Sequence, residues 1–173
     1  MIPSGPGRFK AGFTLQELLE VFVIIVVIIT GALTVYLLCY RSWQEATLQA
    51  SLQREGNVAM DKLIRGVRGD AEARQNGLRE AKSYTIPFLS NDSIEFVSGV
   101  DDIERSFYLS DDQIMYDPNT LIVGDEIVAA EDIETLSFVQ LSSRRIRVNI
   151  VLNRAFGDKS INLNLETDVT IRN

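Results

Sequence analysis

Residues 11–31 read AGFTLQELLEVFVIIVVIITG, and this stretch decides the architecture of the chain. It leads into a run, residues 21–40, that contains no charged side chain. As an α-helix this run rises about 30 Å, which matches the thickness of the hydrocarbon core of a bilayer. The run therefore predicts one membrane-spanning helix. Two carboxylates, Glu17 and Glu20, lie at its edge, and their position needs an explanation.

Basic side chains on the N-terminal side set the expected orientation. Arg8 and Lys10 precede the apolar run, and Arg41 follows it. Because lysine and arginine are retained on the cytoplasmic side, the N-terminus should stay in the cytoplasm. We therefore expect a single-pass protein of the cytoplasmic (inner) membrane, with a C-terminal domain in the periplasm or outside the cell.

Two other interpretations of the run remain open. A cleaved secretory signal would use Thr30, Gly31 and Ala32 as a small-residue cleavage site and would release a secreted small-ligand binder. Cleavage after Ala32 would leave the apolar stretch LTVYLLCY at the mature N-terminus, which does not help a standard signal. A plain uncleaved anchor would treat the two acids as headgroup-level residues, since a carboxylate costs less at the bilayer edge than at its centre.

The composition excludes several classes of function. With one span removed, 173 residues leave room for one modest globular domain. The net charge of −7 would repel nucleic acid, so we expect no nucleic-acid partner for the bulk surface. The chain has no histidine, which removes Ser-His pairs, Cys-His pairs and imidazole metal sites, and its single cysteine, Cys39, cannot form an internal disulfide. We expect no enzymatic activity and no cofactor.

A motif directly before the run carries a family likeness. Residues 12–17 read GFTLQE, after a short basic leader and before a long apolar helix. This pattern resembles the signal of type IV prepilins, a group that includes the pseudopilins of type II secretion. The resemblance implies that a membrane prepilin peptidase cuts between Gly12 and Phe13 and N-methylates the new terminal Phe13. It also implies that the apolar helix stays on the mature subunit.

The resemblance gives the two acids different roles. It implies that Glu17 faces the terminal amine of Phe13 in a neighbouring subunit and sets the register of assembly. Such a pairing makes physical sense, because a charge in an apolar bundle is costly unless an opposite charge meets it. Glu20 departs from the commonest family pattern and shares a helix face with Glu17. Either one of these acids is protonated in a filament, or Glu20 makes a contact specific to a minor subunit.

Further features favour a minor subunit over a major pilin. The disulfide loop of many adhesive pilins is impossible with one cysteine, and the proline that major pilins often carry in the apolar helix is absent. Residues 52–68, LQREGNVAMDKLIRGVR, are loosely similar to a segment of minor pseudopilin J and of the minor pilin W group. The resemblance therefore implies a minor pilin or pseudopilin.

The chain divides into four expected parts. Residues 1–12 form a cleaved leader, residues 13–40 the transmembrane and filament-core half of the helix, residues 41–73 its amphipathic half, and residues 74–173 an extracytoplasmic β-rich domain. The amphipathic half follows from apolar residues at three- and four-residue steps: Leu52, Ala59, Met60, Leu63, Ile64, Val67 and Ala71. No proline lies between residues 13 and 86, so we expect the helix to continue to about Gly69 or Ala73.

After residue 82 the pattern changes to short strands. Period-two alternation is clear in Ile146, Val148, Ile150 and Leu152. The predicted strands are SYTIPF, SIEFVS, IERSFYL, QIMYD, TLIVGDEIV, IETLSFVQL, RRIRVNIVLN and SINLNLETDVTIR. The predicted fold class is α+β: a long N-terminal helix, membrane-spanning in its first half and amphipathic in its second, packed on a mostly antiparallel β-sheet domain.

Charged clusters are the remaining candidates for chemistry. Asp111, Asp112 and Asp117 are the set considered for calcium, but no stretch fits the D-x-[DN]-x-[DN]-G loop. Adjacent acids at strand ends usually form a solvated edge, so we expect no metal site. Three arginines, at positions 144, 145 and 147, begin a strand. Their alternatives are a contact with DNA phosphate or, favoured here, edge protection and charge pairing.

The sequence thus predicts a structural subunit of a type IV-like filament. The partners implied by the resemblance are prepilin peptidase, other pilins or pseudopilins, and an inner-membrane assembly platform. A type II secretion pseudopilus, a type IV pilus and a competence pilus all remain open. The alternative is a single-pass membrane-anchored extracytoplasmic binding or sensory domain.

Overall fold

A computed structural model of the chain describes residues 14–67, 77–88, 90–157 and 159–172. Within these ranges the chain forms one long helix, one short 3₁₀ helix and eight strands, all of whose pairings are antiparallel. The predicted α+β class is therefore confirmed. The chain divides into two compact units, Met1–Gln44 and Glu45–Asn173.

The long helix, α1, spans Leu15–Arg65. It ends earlier than the predicted limit at Gly69 or Ala73, and the cause is Gly66. This residue has a φ of +100°, a left-handed conformation that glycine adopts without strain. Its backbone N–H donates to the Lys62 carbonyl at 2.8 Å, which closes the last turn. The remainder of the predicted amphipathic half, residues 68–73, lies outside the described residues.

Five strands form the first sheet as a simple meander, in the order β1-β2-β3-β4-β5. They are β1 Ala81–Thr85, β2 Ser93–Ser98, β3 Glu104–Ser110, β4 Gln113–Asp117 and β5 Ile127–Ala130. The 3₁₀ helix Leu78–Glu80 leads directly into β1. Three aromatic rings cross the buried face: the centroids of Phe96 and Phe107 are 5.7 Å apart, and those of Phe107 and Tyr116 are 4.9 Å apart. These contacts tie β2, β3 and β4 together through the core.

Three longer strands form the second sheet, in the order β6-β7-β8. They are β6 Ile133–Ser142, β7 Arg145–Phe156 and β8 Lys159–Thr170. The predicted alternation in β7 is confirmed, because Ile146, Val148, Ile150 and Leu152 are all fully buried. The two sheets join within one core, and the backbone N–H of Phe138 in β6 donates to the carbonyl of Asn91 before β2 at 2.8 Å.

The C-terminal part of α1 packs on this core through the predicted apolar stripe. Its buried members are Leu52, Ala59, Met60, Leu63 and, just after the helix, Val67. Gly56 lies in the same stripe, and a methyl group added there would overlap Leu165 Cδ1 and lie 3.0 Å from Leu152 Cδ1. The helix therefore lies close to β7 and β8 at a position where it has no side chain.

One predicted strand is wrong over most of its length. The sequence predicts a strand over residues 120–128, TLIVGDEIV, but β5 begins only at Ile127. Leu121 and Val123 project into solvent, with 86% and 97% of their surface exposed. Gly124, with a φ of +92°, turns the backbone before β5. The apolar residues before Ile127 therefore belong to an exposed loop. Thr120 N–H donates to the Glu104 carbonyl of β3 at 3.1 Å, but ladder pairing with β4 includes only Ile127 and the residues after it.

The close approach at Gly56 gives a stability prediction. We expect Gly56→Leu to lower the free energy of unfolding by about 2 kcal/mol, because the added side chain must displace Leu152 and Leu165. Gly31→Leu is the matched control in the same helix, since nothing lies within 4 Å of a methyl group added at Gly31. Denaturant unfolding of the full chain in detergent micelles measures both. Equal unfolding midpoints for the two variants would contradict the packing described.

Candidate functional site

The start of α1 is closed by a reciprocal pair of hydrogen bonds between Thr14 and Glu17. Oε2 of Glu17 accepts hydrogen bonds from the backbone N–H and from the hydroxyl of Thr14, both at 2.9 Å. In return, the backbone N–H of Glu17 donates to the Thr14 hydroxyl at 3.3 Å. This is a capping box, in which a threonine before the first turn and an acid three residues later satisfy each other's backbone. The carboxylate also lies where the helix dipole favours negative charge.

Glu20 has a partner of its own and is not drawn towards Glu17. Its Oε1 accepts a hydrogen bond from the amide Nε2 of Gln16, one turn earlier, at 3.3 Å. The two acids are therefore held by different side chains, although they are three residues apart. The structure gives Glu17 a role in starting the helix and leaves Glu20 as a surface acid beside the apolar run.

The surface after Glu20 is apolar and uncovered. Large side chains from Val21 to Tyr40 remain exposed within the described residues, and none of the most apolar window of α1 is buried. The hydroxyls inside this run bond to their own helix: Thr30 donates to the Val26 carbonyl at 2.8 Å and Thr34 to the Thr30 carbonyl at 2.9 Å. With its backbone and its threonine hydroxyls satisfied within one helix, this part of α1 suits a hydrocarbon environment. Its length and composition are sufficient to cross a membrane.

The residues predicted to be processed lie outside the described part of the chain. Gly12 and Phe13, together with the leader at residues 1–12, fall before Thr14. The cleavage, the N-methylation and the pairing of Glu17 with a Phe13 amine therefore stay predictions.

The three aspartates considered for calcium are not brought together. Asp111 and Asp112 form the two-residue turn between β3 and β4, with φ angles of +49° and +60°. Asp117 lies at the other end of β4, roughly 15 Å away along the strand. Its Oδ1 accepts the backbone N–H of Asn119 at 2.9 Å, and burial raises the pKa of its carboxyl. Across the described ranges, no group of three carboxylates or thiols is arranged to hold a metal ion.

An ion pair with a buried arginine accounts for another of the acids. The Arg105 guanidinium lies in the core and holds Asp101 with both branches, Nη1 to Oδ1 at 2.8 Å and Nη2 to Oδ2 at 2.5 Å. These hydrogen bonds hold the pKa of the Asp101 carboxyl well below its usual range. A buried guanidinium needs such a partner, so the pair is structural.

Two of the three arginines at the start of β7, Arg145 and Arg147, are charge-paired, as the sequence favoured. Arg147 Nε contacts Asp168 Oδ1 at 2.9 Å and Glu166 Oε1 at 3.0 Å, and Arg145 Nη2 contacts Asp168 Oδ2 at 2.8 Å. Hydrogen bonding to Arg147 lowers the pKa of Asp168. These pairs join β7 to β8 across the sheet. They engage the guanidinium groups that a contact with DNA phosphate would require.

An open groove of about 850 Å³ separates the helix from β5. Val58 and Val128 contribute apolar surface, and Lys62 Nζ donates to the Ala129 carbonyl at 2.5 Å. On the rim Arg154 bridges Glu55 and Asp132. The hydroxyl of Ser51, which also lines the groove, donates to the Leu48 carbonyl. The groove offers shape and apolar area, and several of its polar side chains, Ser51, Lys62, Glu55, Asp132 and Arg154, already have hydrogen-bonding partners.

Comparison with known proteins returned no relatives. No protein-family model matches the chain, and neither the curated proteins nor the solved structures contain a match. A function for this chain therefore has to follow from its own residues.

The capping box gives a prediction at single-residue scale. We expect Glu17→Ala to speed hydrogen exchange of the Thr14 amide about fivefold, corresponding to the roughly 1 kcal/mol that such a cap contributes. Glu17→Gln should keep most of the protection, because an amide oxygen accepts the same hydrogen bond. Exchange measured by NMR in detergent micelles distinguishes the two variants. Glu20→Ala is the control, and its Thr14 amide should exchange at the native rate; native exchange in Glu17→Ala would refute the cap.

Proposed function

We propose that this chain is a structural minor pilin or pseudopilin, a subunit of a type IV-like filament. The observation that carries the proposal is the pairing of two features: the GFTLQE motif at residues 12–17 and the uncovered apolar half of α1 directly after it. A helix with this surface needs lipid or other apolar helices around it. A filament subunit meets both surroundings in turn: lipid while it is in the membrane, and other apolar helices once it is in the filament core.

In this proposal, prepilin peptidase removes residues 1–12 on the cytoplasmic side and N-methylates Phe13. Before assembly the subunit lies in the inner membrane as a single-pass protein, with its β-rich unit outside the cytoplasm. It enters the filament beside other pilins or pseudopilins, on an inner-membrane assembly platform. The chain itself supplies packing surface and performs no catalysis.

The geometry of Glu17 supports a role in register. Its Oε2 is engaged by Thr14, whereas Oε1 has no hydrogen bond among the described residues. A carboxylate has several acceptor positions, so the cap and an ion pair with a neighbouring Phe13 amine are compatible. In apolar surroundings that ion pair would favour the one register in which both charges are neutralised.

A second candidate function is a single-pass membrane-anchored binding or sensory domain. The observation that favours it is the open groove between α1 and β5, which is large enough for a small ligand or a chain segment. Such a protein would keep its leader and would not need a free amine at Phe13. The two candidates therefore differ at Glu17, since only the filament subunit needs its charge for contact with a partner.

Assembly of Glu17→Gln tests the proposed register. This variant keeps the capping oxygen and removes the charge, so it should be processed normally but enter filaments about tenfold less, a difference of about 1.4 kcal/mol. Glu20→Gln is the matched control, one turn further along the same helix, and should enter at the native level. Quantitative immunoblots of the sheared filament fraction and of the membrane fraction measure both.

Equal incorporation of Glu17→Gln and the native chain would remove the register role. Failure of processing in Glu17→Gln would show instead that the acid is read by the peptidase. An equal loss in both glutamine variants would mean that assembly depends on the total negative charge at this end of the helix and not on Glu17 specifically.

A further inference from the structure

Three aromatic rings form a continuous strip on α1. The ring centroids of Tyr36 and Tyr40 are 6.2 Å apart with planes inclined by 14°, and those of Tyr40 and Trp43 are 6.2 Å apart with planes inclined by 33°. Steps of four and three residues place all three on one face of the helix. They remain open to their surroundings, with 65%, 45% and 64% of their surface exposed in chain order.

The strip lies where the uncharged run ends. Residues 21–40 contain no charge, and Arg41 follows immediately. Tyr36 and Tyr40 belong to the last turns of the run, and Trp43 lies beyond it. At the opposite end, Glu17 and Glu20 mark the polar limit of the same helix. The aromatic strip and the two acids therefore bracket a segment about as long as a bilayer core is thick.

Tyrosine and tryptophan have a specific preference in membranes. Each has an apolar ring and one polar group, the phenol O–H or the indole N–H, that needs a hydrogen-bonding partner. Deep hydrocarbon leaves that group unpaired, and bulk water leaves the ring exposed, so both residues collect at the headgroup boundary. Contact with the apolar face of another helix would bury the polar groups without partners.

We propose that Tyr36, Tyr40 and Trp43 bind the phospholipid headgroup boundary on the non-cytoplasmic side and fix the depth of α1 in the bilayer. This anchor rests on the membrane insertion contained in the proposed function and is independent of processing and of filament assembly. The partner is the lipid surface itself.

Trp43 is the only tryptophan in the chain, so its fluorescence reports this position alone. The full chain is reconstituted in phosphatidylcholine vesicles that carry bromine atoms either near the carbonyl end or near the methyl end of the acyl chains. We expect quenching about twofold stronger from the shallow bromines, since the ring lies at headgroup level. Stronger quenching from the deep bromines, or no quenching by either lipid, would overturn the anchor.

Variants test whether the strip sets the depth. Tyr36→Ala combined with Tyr40→Ala should weaken the preference for shallow quenching, because Trp43 is then the one ring of the strip that remains to hold the depth. Leu37→Ala combined with Leu38→Ala removes similar apolar area from the same turn outside the strip and should keep the preference. The same quenching profile in both double variants would show that the tyrosines do not set the depth.

The vesicle experiment uses no peptidase and no partner subunits. A failed filament assay with shallow quenching would reject the filament proposal and keep the anchor. Normal assembly with stronger quenching from the deep bromines would keep the filament proposal and reject the anchor.

Discussion

The apolar half of α1 has no covering partner among the described residues, although its backbone and its threonine hydroxyls are fully satisfied within the helix. In water this surface would cost free energy along its whole length, whereas lipid or a bundle of similar helices removes the cost. The rest of the chain is consistent with that constraint. An acid caps one end of the segment, aromatic rings and Arg41 close the other, and the remainder of α1 becomes amphipathic and packs on β-sheets.

Glu17 caps the helix, and in the proposed filament the same side chain also takes part in assembly. Within a single chain its carboxylate starts the helix by bonding Thr14, which explains an acid at the edge of an apolar run without any partner protein. In the proposed filament the same group neutralises an amine of the neighbouring subunit. Selection for the cap alone would accept glutamine at this position, and selection for register would require the charge. Glu20, which bonds Gln16, has no comparable structural duty.

Local sequence patterns predicted the elements well, and long-range contacts account for what they missed. Strict alternation in β7 and the apolar stripe on α1 both reflect burial, so the sequence predicts both elements. The close approach at Gly56 has no local sequence signal, because the side chain that it contacts, Leu165, is distant in sequence. The loop at Leu121 was misread, since an apolar run predicts a strand only where a neighbouring strand supplies hydrogen bonds. The capping box has a local sequence signal, because Thr14 and Glu17 stand three residues apart. The same two residues belong to the prepilin-like motif, and that resemblance alone does not indicate a cap.

The central claim is that the apolar helix stays on a subunit whose leader has been removed. The most direct test is the intact mass and N-terminal residue of the protein purified from cells with an active prepilin peptidase. The account predicts a chain that begins at Phe13 and carries one methyl group on its terminal amine. A chain that still begins at Met1 would contradict it, and a chain that begins at Leu33 would show secretion with loss of most of the apolar run.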